Sequence, residues 1–282
     1  MDSPHATTRR QFLAASAGVA LSAAPLLGSN DPAPPSWKLG AQSYTFRNFE
    51  VERALREIKG LGLAYAEFYE KHIPPKSTAK QREVFLDLCK DYGVKPIAFG
   101  VSSFTKDHDR NRELFDFGKA LDLRFLTASP TPDSFDSLDK LCAEYGIGIA
   151  IHPHGPVGEG RMDRWYSAEV IMAAVKDRHP LIGSCLDTGH LIRAAQLGKN
   201  LDVPEQVRIM GRRNFGLHLK DHDNQRKTDV ILGQGALNVG ELVKALREVS
   251  FQGFISLEYE AHADEPTADV AECLKVWKRA TG

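Results

Sequence analysis

Leu181–Asp187 reads LIGSCLD, six uncharged residues and then a carboxylate. A run of this length that stays uncharged to its last residue has the pattern of a strand buried on both faces, as in a parallel sheet. Its final side chain is then delivered to the edge of the sheet, where a site can use it. Three further runs share the design. Ile147–His154 reads IGIAIHPH and closes on His152 and His154; Asn214–Asp221 reads NFGLHLKD and carries His218; Phe254–Glu260 reads FISLEYE and carries Glu258. His, Asp and Glu are the ligand types of a divalent ion, so four such endings point to one metal held where strand ends converge.

Working outward, earlier runs at Lys38–Phe46, Ala64–Tyr69, Lys95–Phe99 and Leu123–Thr127 have the same strand character. Between the eight runs lie helix-like segments at Val51–Lys59, Lys80–Tyr92, Arg112–Leu121, Phe135–Glu144, Ala168–Asp177 and Val239–Val249. Alternation at this spacing predicts βα units and a parallel sheet. Gly62, Gly93, Gly146 and Gly253 fall just after helices, where a left-handed cap needs no Cβ. An open doubly wound sheet normally carries a Gly-rich first turn; here the first strand is followed by Thr45-Phe46-Arg47-Asn48. The expected fold is therefore α/β, a single (β/α)8 barrel over residues 36–282, with active groups at the C-terminal ends of the strands.

Residues 1–35 read as an address. Thr8-Arg9-Arg10-Gln11-Phe12-Leu13 resembles the twin-arginine export motif; an Ala-rich stretch to about Leu27 and Asp31-Pro32-Ala33-Pro34-Pro35 follow. The stretch is too short and too weakly apolar for a spanning helix. The expectation is export to the periplasm with cleavage between about Ala24 and Pro35, and no membrane attachment afterwards.

The 36 Lys and Arg against 37 Asp and Glu leave a formal charge of −1, without the concentrated positive face that nucleic acid requires. Cys89, Cys142, Cys185 and Cys273 form no CxxC and read as buried thiols, although an exported protein leaves a pairing open. A homo-oligomer is likewise left open.

The runs Cys185-Leu186-Asp187-Thr188-Gly189-His190, Leu217-His218-Leu219-Lys220-Asp221 and Leu257-Glu258-Tyr259 resemble those of the xylose isomerase-like TIM-barrel superfamily, the sugar phosphate isomerase/epimerase group. Leu232-Gly233-Gln234-Gly235-Ala236-Leu237 resembles the Gly-x-Gly loop between its last two strands. The resemblance implies one divalent ion (Mn, Co, Fe or Zn) on His152, Asp187, His218 and Glu258. It also implies a small-molecule carbohydrate substrate. Sugar epimerases of the group use carboxylates on the fifth and eighth strands; here the fifth carries His152 in His-Pro-His, closer to the inosose-dehydratase-like branch.

The expected activity is isomerisation or epimerisation of an unphosphorylated sugar through a metal-stabilised enediolate. Glu258 is the expected base and His190 the second catalytic group, with Glu67, His154, His190 and Lys220 binding substrate. The rival is elimination, as in a keto-sugar dehydratase or keto-glycoside lyase, which needs one base and one acid. An endonuclease IV-like hydrolase would need His ligands at the second and third strand ends, where the chain has Glu67-Phe68 and Phe99-Gly100. A non-catalytic sugar binder would be expected to have lost ligands.

Overall fold

The computed structural model describes residues 37–158 and 160–282. The export motif and its cleavage region lie outside the described residues. Eight strands close a parallel barrel: β1 Lys38–Gln42, β2 Tyr65–Phe68, β3 Lys95–Phe104, β4 Phe125–Pro130, β5 Gly148–Ile151, β6 Ile182–Asp187, β7 Asn214–Leu219 and β10 Phe254–Leu257. A short antiparallel hairpin, β8 Asp221–Asp223 with β9 Thr228–Val230, stands between the last two. Helices α1 Val51–Gly60, α2 Ala79–Tyr92, α3 His108–Ala120, α4 Phe135–Tyr145, α5 Ala168–Val175, α6 Thr188–Arg193, α7 Val203–Met210, α8 Val239–Glu248 and α9 Thr267–Thr281 complete the units. No helix among the described residues is long and apolar enough to cross a membrane.

Local chemistry sets the boundaries. Thr78 and Gln81 make a reciprocal capping box at the start of α2, and Gly93 ends it in the left-handed conformation at φ 65°. Gly146 ends α4 the same way, at φ 67°. Gly253 is glycine for another reason: a Cβ there would meet the Phe215 carbonyl, so close approach to β7 is what excludes a side chain.

The two largest differences from the sequence reading lie at the ends of β1 and β3, while β4 runs three residues past its expected end, to Pro130. The first run ends as a strand at Gln42, whose side chain accepts the Tyr44 N–H at 3.1 Å and turns Ser43–Phe46 into a 3-10 helix. Strand β3 instead runs five residues past its expected end at Phe99, pairing Ser102–Phe104 with Ala128–Pro130. Beyond Phe99 its faces alternate: Val101 and Ser103 are exposed, Ser102 and Phe104 buried. A search for continuous apolar runs sees only the part inside the barrel.

Two cores hold the barrel. Inside it, Ile97, Ala98, Ala150, Cys185 and Phe254 pack with Tyr65, Phe125 and Phe215, the rings of Phe125 and Phe215 stacked at 5.4 Å. The larger core lies between barrel and helices. All four cysteines are buried free thiols, and burial pushes each thiol up, to about 12 at Cys89 and Cys142 and about 11 at Cys185 and Cys273. Asp221 fixes the chain after β7: its carboxylate accepts the backbone N–H groups of His222, Gly233, Gly235 and Leu237 at 2.8–2.9 Å. That ties the Gly-x-Gly loop to the hairpin beside the barrel mouth.

Candidate active site

Strand ends deliver the reactive groups as side chains with little freedom. Asp187, the last residue of β6, gives Oδ1 to the His190 N–H at 2.7 Å and so caps α6. Its other oxygen, Oδ2, is buried without a hydrogen-bond donor. The same carboxylate thus serves as helix cap and as site group. His218 lies on β7, while His152 and Glu258 stand one residue past β5 and β10. Backbone bonds from His152 N to the Ala128 carbonyl (2.9 Å) and from Glu258 N to the Leu219 carbonyl (3.1 Å) extend the barrel ladder to both.

The four groups converge. His218 Nδ1 is 3.1 Å from Glu258 Oε2 and 3.7 Å from Asp187 Oδ2; His152 Nε2 is 3.9 Å from Asp187 Oδ2. Ligand atoms about 2.0–2.2 Å from one ion stand roughly 3–3.5 Å apart, so these separations suit a shared divalent ion with slight contraction. Asp187 Oδ2 accepts no hydrogen bond, although the Lys220 ammonium stands 3.2 Å away, which leaves it a lone pair for the ion. Asp187, His218 and Glu258 form one of the His/Cys/Asp/Glu groups compact enough to hold a metal. Cys185 lies close behind, in a group with His152 and His218, and burial pushes its thiol up to about 11.

Glu67 supports this arrangement from beneath. It is fully buried at the end of β2, and its Oε2 lies 2.8 Å from His218 Nε2 and accepts the Ser256 hydroxyl at 2.8 Å. A carboxylate on one ring nitrogen fixes the proton there and turns the other toward a ligand. Glu67 is therefore placed to orient His218, away from the cleft in which a substrate would lie.

Lys220 is the second group placed away from substrate. Two residues past His218 and so on the same side of the chain, it is 1 % exposed. Its ammonium stands 3.0 Å from Glu258 Oε2 and 3.2 Å from Asp187 Oδ2, and also pairs with Glu260. The stem has a reserved path: a Cβ at Gly189 would come within 2.7 Å of Lys220 Cγ. Thr188 Oγ1 accepts the Lys220 N–H at 2.9 Å.

Charge is divided accordingly. Burial works against a charge on Lys220, yet Asp187, Glu258 and Glu260 hold it well above the usual lysine range. Burial likewise opposes Glu258, but Lys220 and His218 outweigh it and hold this carboxyl well below the usual range. Asp187, capped but more deeply buried, is pushed up to about 7 by burial against the pull of Lys220. Burial, backed by cationic neighbours, holds His152 and His190 well below the ordinary imidazole range.

His152, His154, His190, His218 and Glu258 line the deep end of a cleft of about 970 Å³. The rings of His152, His154 and His190 lie 4.7–5.4 Å apart. Arg193 Nη1 is 3.0 Å from His190 Nδ1, so in the neutral ring the proton sits on Nε2. Of the four expected ligands, the structure brings Asp187, His218 and Glu258 into one compact group; His152 stands at its edge, 3.9 Å from Asp187 Oδ2, and groups also with His154 and His190. The sequence reading missed Ser256, Glu260, Thr188, Gly189 and Arg193. Thr188 and Gly189 lie inside the quoted Cys185–His190 run and Ser256 and Glu260 inside FISLEYE, but nothing local gives them a role; the two-residue spacing of His218 and Lys220 was a further hint, since alternate residues share a strand face.

The chain matches the family model described as xylose isomerase-like TIM barrel over residues 55–280. A comparison with curated proteins returned no significant match. Among solved structures, the chain is similar to an uncharacterised protein from Parabacteroides distasonis ATCC 8503, at 28 % identity and TM-score 0.66, covering 86 % of this chain and 98 % of that one. It is similar in fold to D-allulose 3-epimerase from Methylomonas sp., at 15 % identity and TM-score 0.67, covering 86 % and 98 %. A third likeness is 3-keto-D-glucoside 4-epimerase from E. coli, at 15 % identity and TM-score 0.66, covering 86 % and 99 %. The match over residues 55–280 and the closed eight-stranded parallel barrel agree: the chain belongs to the xylose isomerase-like TIM-barrel family.

Proposed function

We propose that this protein is a divalent-metal-dependent sugar isomerase or epimerase that moves a proton next to a carbonyl of an unphosphorylated sugar. The observation that carries the reading is the convergence of Asp187, His218 and Glu258, with His152 Nε2 3.9 Å from Asp187 Oδ2, where His152, His218 and Glu258 line the cleft, Asp187 lies buried behind them and Glu67 aligns His218. Epimerase activity in the D-allulose and 3-keto-D-glucoside enzymes of the same fold points the same way.

His152, Asp187, His218 and Glu258 would hold the ion, which when bound supplies Lewis-acid stabilisation of an enediolate. Glu258 is the base. Its Oε2 is engaged by His218 and Lys220, and among the described residues no hydrogen bond reaches Oε1, the oxygen left to take a proton from a bound sugar. His190 holds a proton at Nε2 and lines the cleft, so it is the group placed to deliver one. Lys220 keeps Glu258 ionised and does not itself reach the cleft.

A second reading has one specific observation in its favour. At the end of β5, where the epimerase pattern has a carboxylate, the chain carries His152, and His154 and His190 line the cleft beside it. One carboxylate base with an imidazole acid also suits elimination from a keto-sugar. Incubation of keto-sugars with the metal-loaded protein in D2O separates the outcomes. Deuterium at the carbon next to the carbonyl, with a new epimer and no new chromophore, supports isomerisation; an enone chromophore supports elimination. Both signals should fall at least about a hundredfold in Glu258→Gln. No exchange with any sugar, and no metal retained on purification without chelator, would end the metalloenzyme reading.

We also propose export by the twin-arginine route, on the strength of Arg9-Arg10 and the apolar stretch after them. N-terminal sequencing of protein recovered from the periplasm should begin between about Ala24 and Pro35; recovery of intact Met1 in the cytoplasm contradicts it.

A further inference from the structure

The cleft is much longer than its reactive end. The ionisable and imidazole groups from β5, β7 and β10 occupy one end of the 970 Å³ space. The rest of the lining comes from the segments that follow β1 and β2, from the overrunning part of β3 and from α3, and includes Tyr44, Tyr69, Pro74, Val101, Arg110 and Leu114. A volume near the top of the roughly 300–1,000 Å³ range of small-ligand pockets is far more than one sugar ring fills.

Three large hydrophobic residues are exposed among the described ones, and two of them, Tyr44 (38 %) and Val101 (39 %), line this outer end. Tyr44 is held as a fixed platform. Its ring meets Tyr69 edge to face at 5.2 Å, and the Arg47 guanidinium lies 4.9 Å from its centroid. Tyr69 is anchored by its hydroxyl, which donates to the Arg47 carbonyl at 3.2 Å. Val101 is presented by the part of β3 that projects past the barrel, a wall that exists because Ser102–Phe104 pair with β4 beyond the mouth. An exposed rigid aromatic and an exposed valine on a preformed wall suit an apolar sugar face or an aromatic aglycone. Lys71, Lys76 and Arg110 stand there with Glu70 and Glu113, so the lining is of mixed charge and suits an uncharged polar group.

We infer that the substrate is a disaccharide or glycoside whose reacting ring carries the carbonyl, with that ring at the His218–Glu258 end and a second, uncharged ring against Tyr44 and Val101. This rests on the carbohydrate reading above and sharpens its substrate class. The test uses pairs of ligands that differ only in the second ring: glucose, galactose, mannose and xylose, each against its phenyl glycosides, together with cellobiose and maltose. Binding is measured by titration calorimetry and saturation-transfer NMR on the metal-loaded protein. The expected result is that at least one glycoside or disaccharide binds tenfold or more tightly than its parent sugar. Tyr44→Ala should bring that affinity down to the parent's, and Val84→Ala, an exposed hydrophobic away from the cleft, should leave the difference intact. Thermal melting of each variant separates lost binding from lost folding. Equal affinity for every pair, or an unchanged difference in Tyr44→Ala, overturns the outer site while leaving a monosaccharide enzyme standing. Absence of binding by all sugars, large and small, overturns the carbohydrate reading with it.

Discussion

The two arcs of the barrel mouth are built on opposite principles. On the arc formed by β5, β6, β7 and β10, nearly every polar side chain is buried and already held by the protein: Asp187 by a helix N-terminus, His218 by Glu67, Lys220 by three carboxylates, His190 by Arg193. On the arc formed by β1 to β3, Tyr44, Val101 and Ser103 are left open to solvent. Reactive groups need fixed geometry and controlled charge, which only burial and partners supply. Groups that meet a ligand need free surface.

The sharpest way to break the contrast is Lys220→Met. The variant keeps the stem that Gly189 accommodates but leaves Asp187 and Glu258 facing each other uncompensated. Loss of one partner of a buried ion pair costs about 3–5 kcal/mol, readable by urea denaturation. Added manganese or zinc should restore part of it, because the ion replaces the missing charge between the same carboxylates. An effect below about 0.5 kcal/mol would mean that Lys220 is not confined as the structure places it.

Glu67→Gln probes the same arc more gently. The shape and an acceptor survive, but the charge that orients His218 is gone, and metal affinity should fall by about tenfold or more. Calorimetric titration with zinc measures it; unchanged affinity would leave Glu67 a passive core residue.

The smallest effect belongs to the opposite arc. His72, after β2, is buried with Nε2 3.1 Å from the Phe49 carbonyl and Nδ1 unpartnered. Burial, with Lys71 adding to it, holds this imidazole below the ordinary range against Phe49 and Glu50. The unfolded chain binds a proton near pH 6.5 and the folded one only below that. Its stabilising contribution is therefore present above about pH 6.5 and lost as the pH falls through the folded value. His72→Gln should flatten part of the stability decline between pH 7 and 5, and an unchanged slope would assign that decline to the cleft histidines alone.

Much of the architecture was legible before any coordinates. Runs such as LIGSCLD and FISLEYE announce buried parallel strands because a strand covered on both faces needs apolar residues on both, and a terminal charge can then only sit at the mouth. The overrun of β3 was not legible, since a strand half exposed above the barrel loses the continuous apolar pattern. Nor was the hairpin at Asp221–Val230, whose strands are three residues each.

At the site, the sequence by itself determined which residues reach the mouth: His152, Asp187, His218 and Glu258 come from strand ends, and period-two alternation settles that locally. Only the tertiary structure decided what each one does there. Glu67 and His218 are 151 positions apart, Lys220 and Glu258 are 38 apart, and Ser256 reaches back 189 positions to Glu67. Whether a buried carboxylate orients a ligand, balances an ammonium or takes a proton depends on the charge beside it, and barrel closure, which sets β10 between β7 and β1, supplies that neighbour.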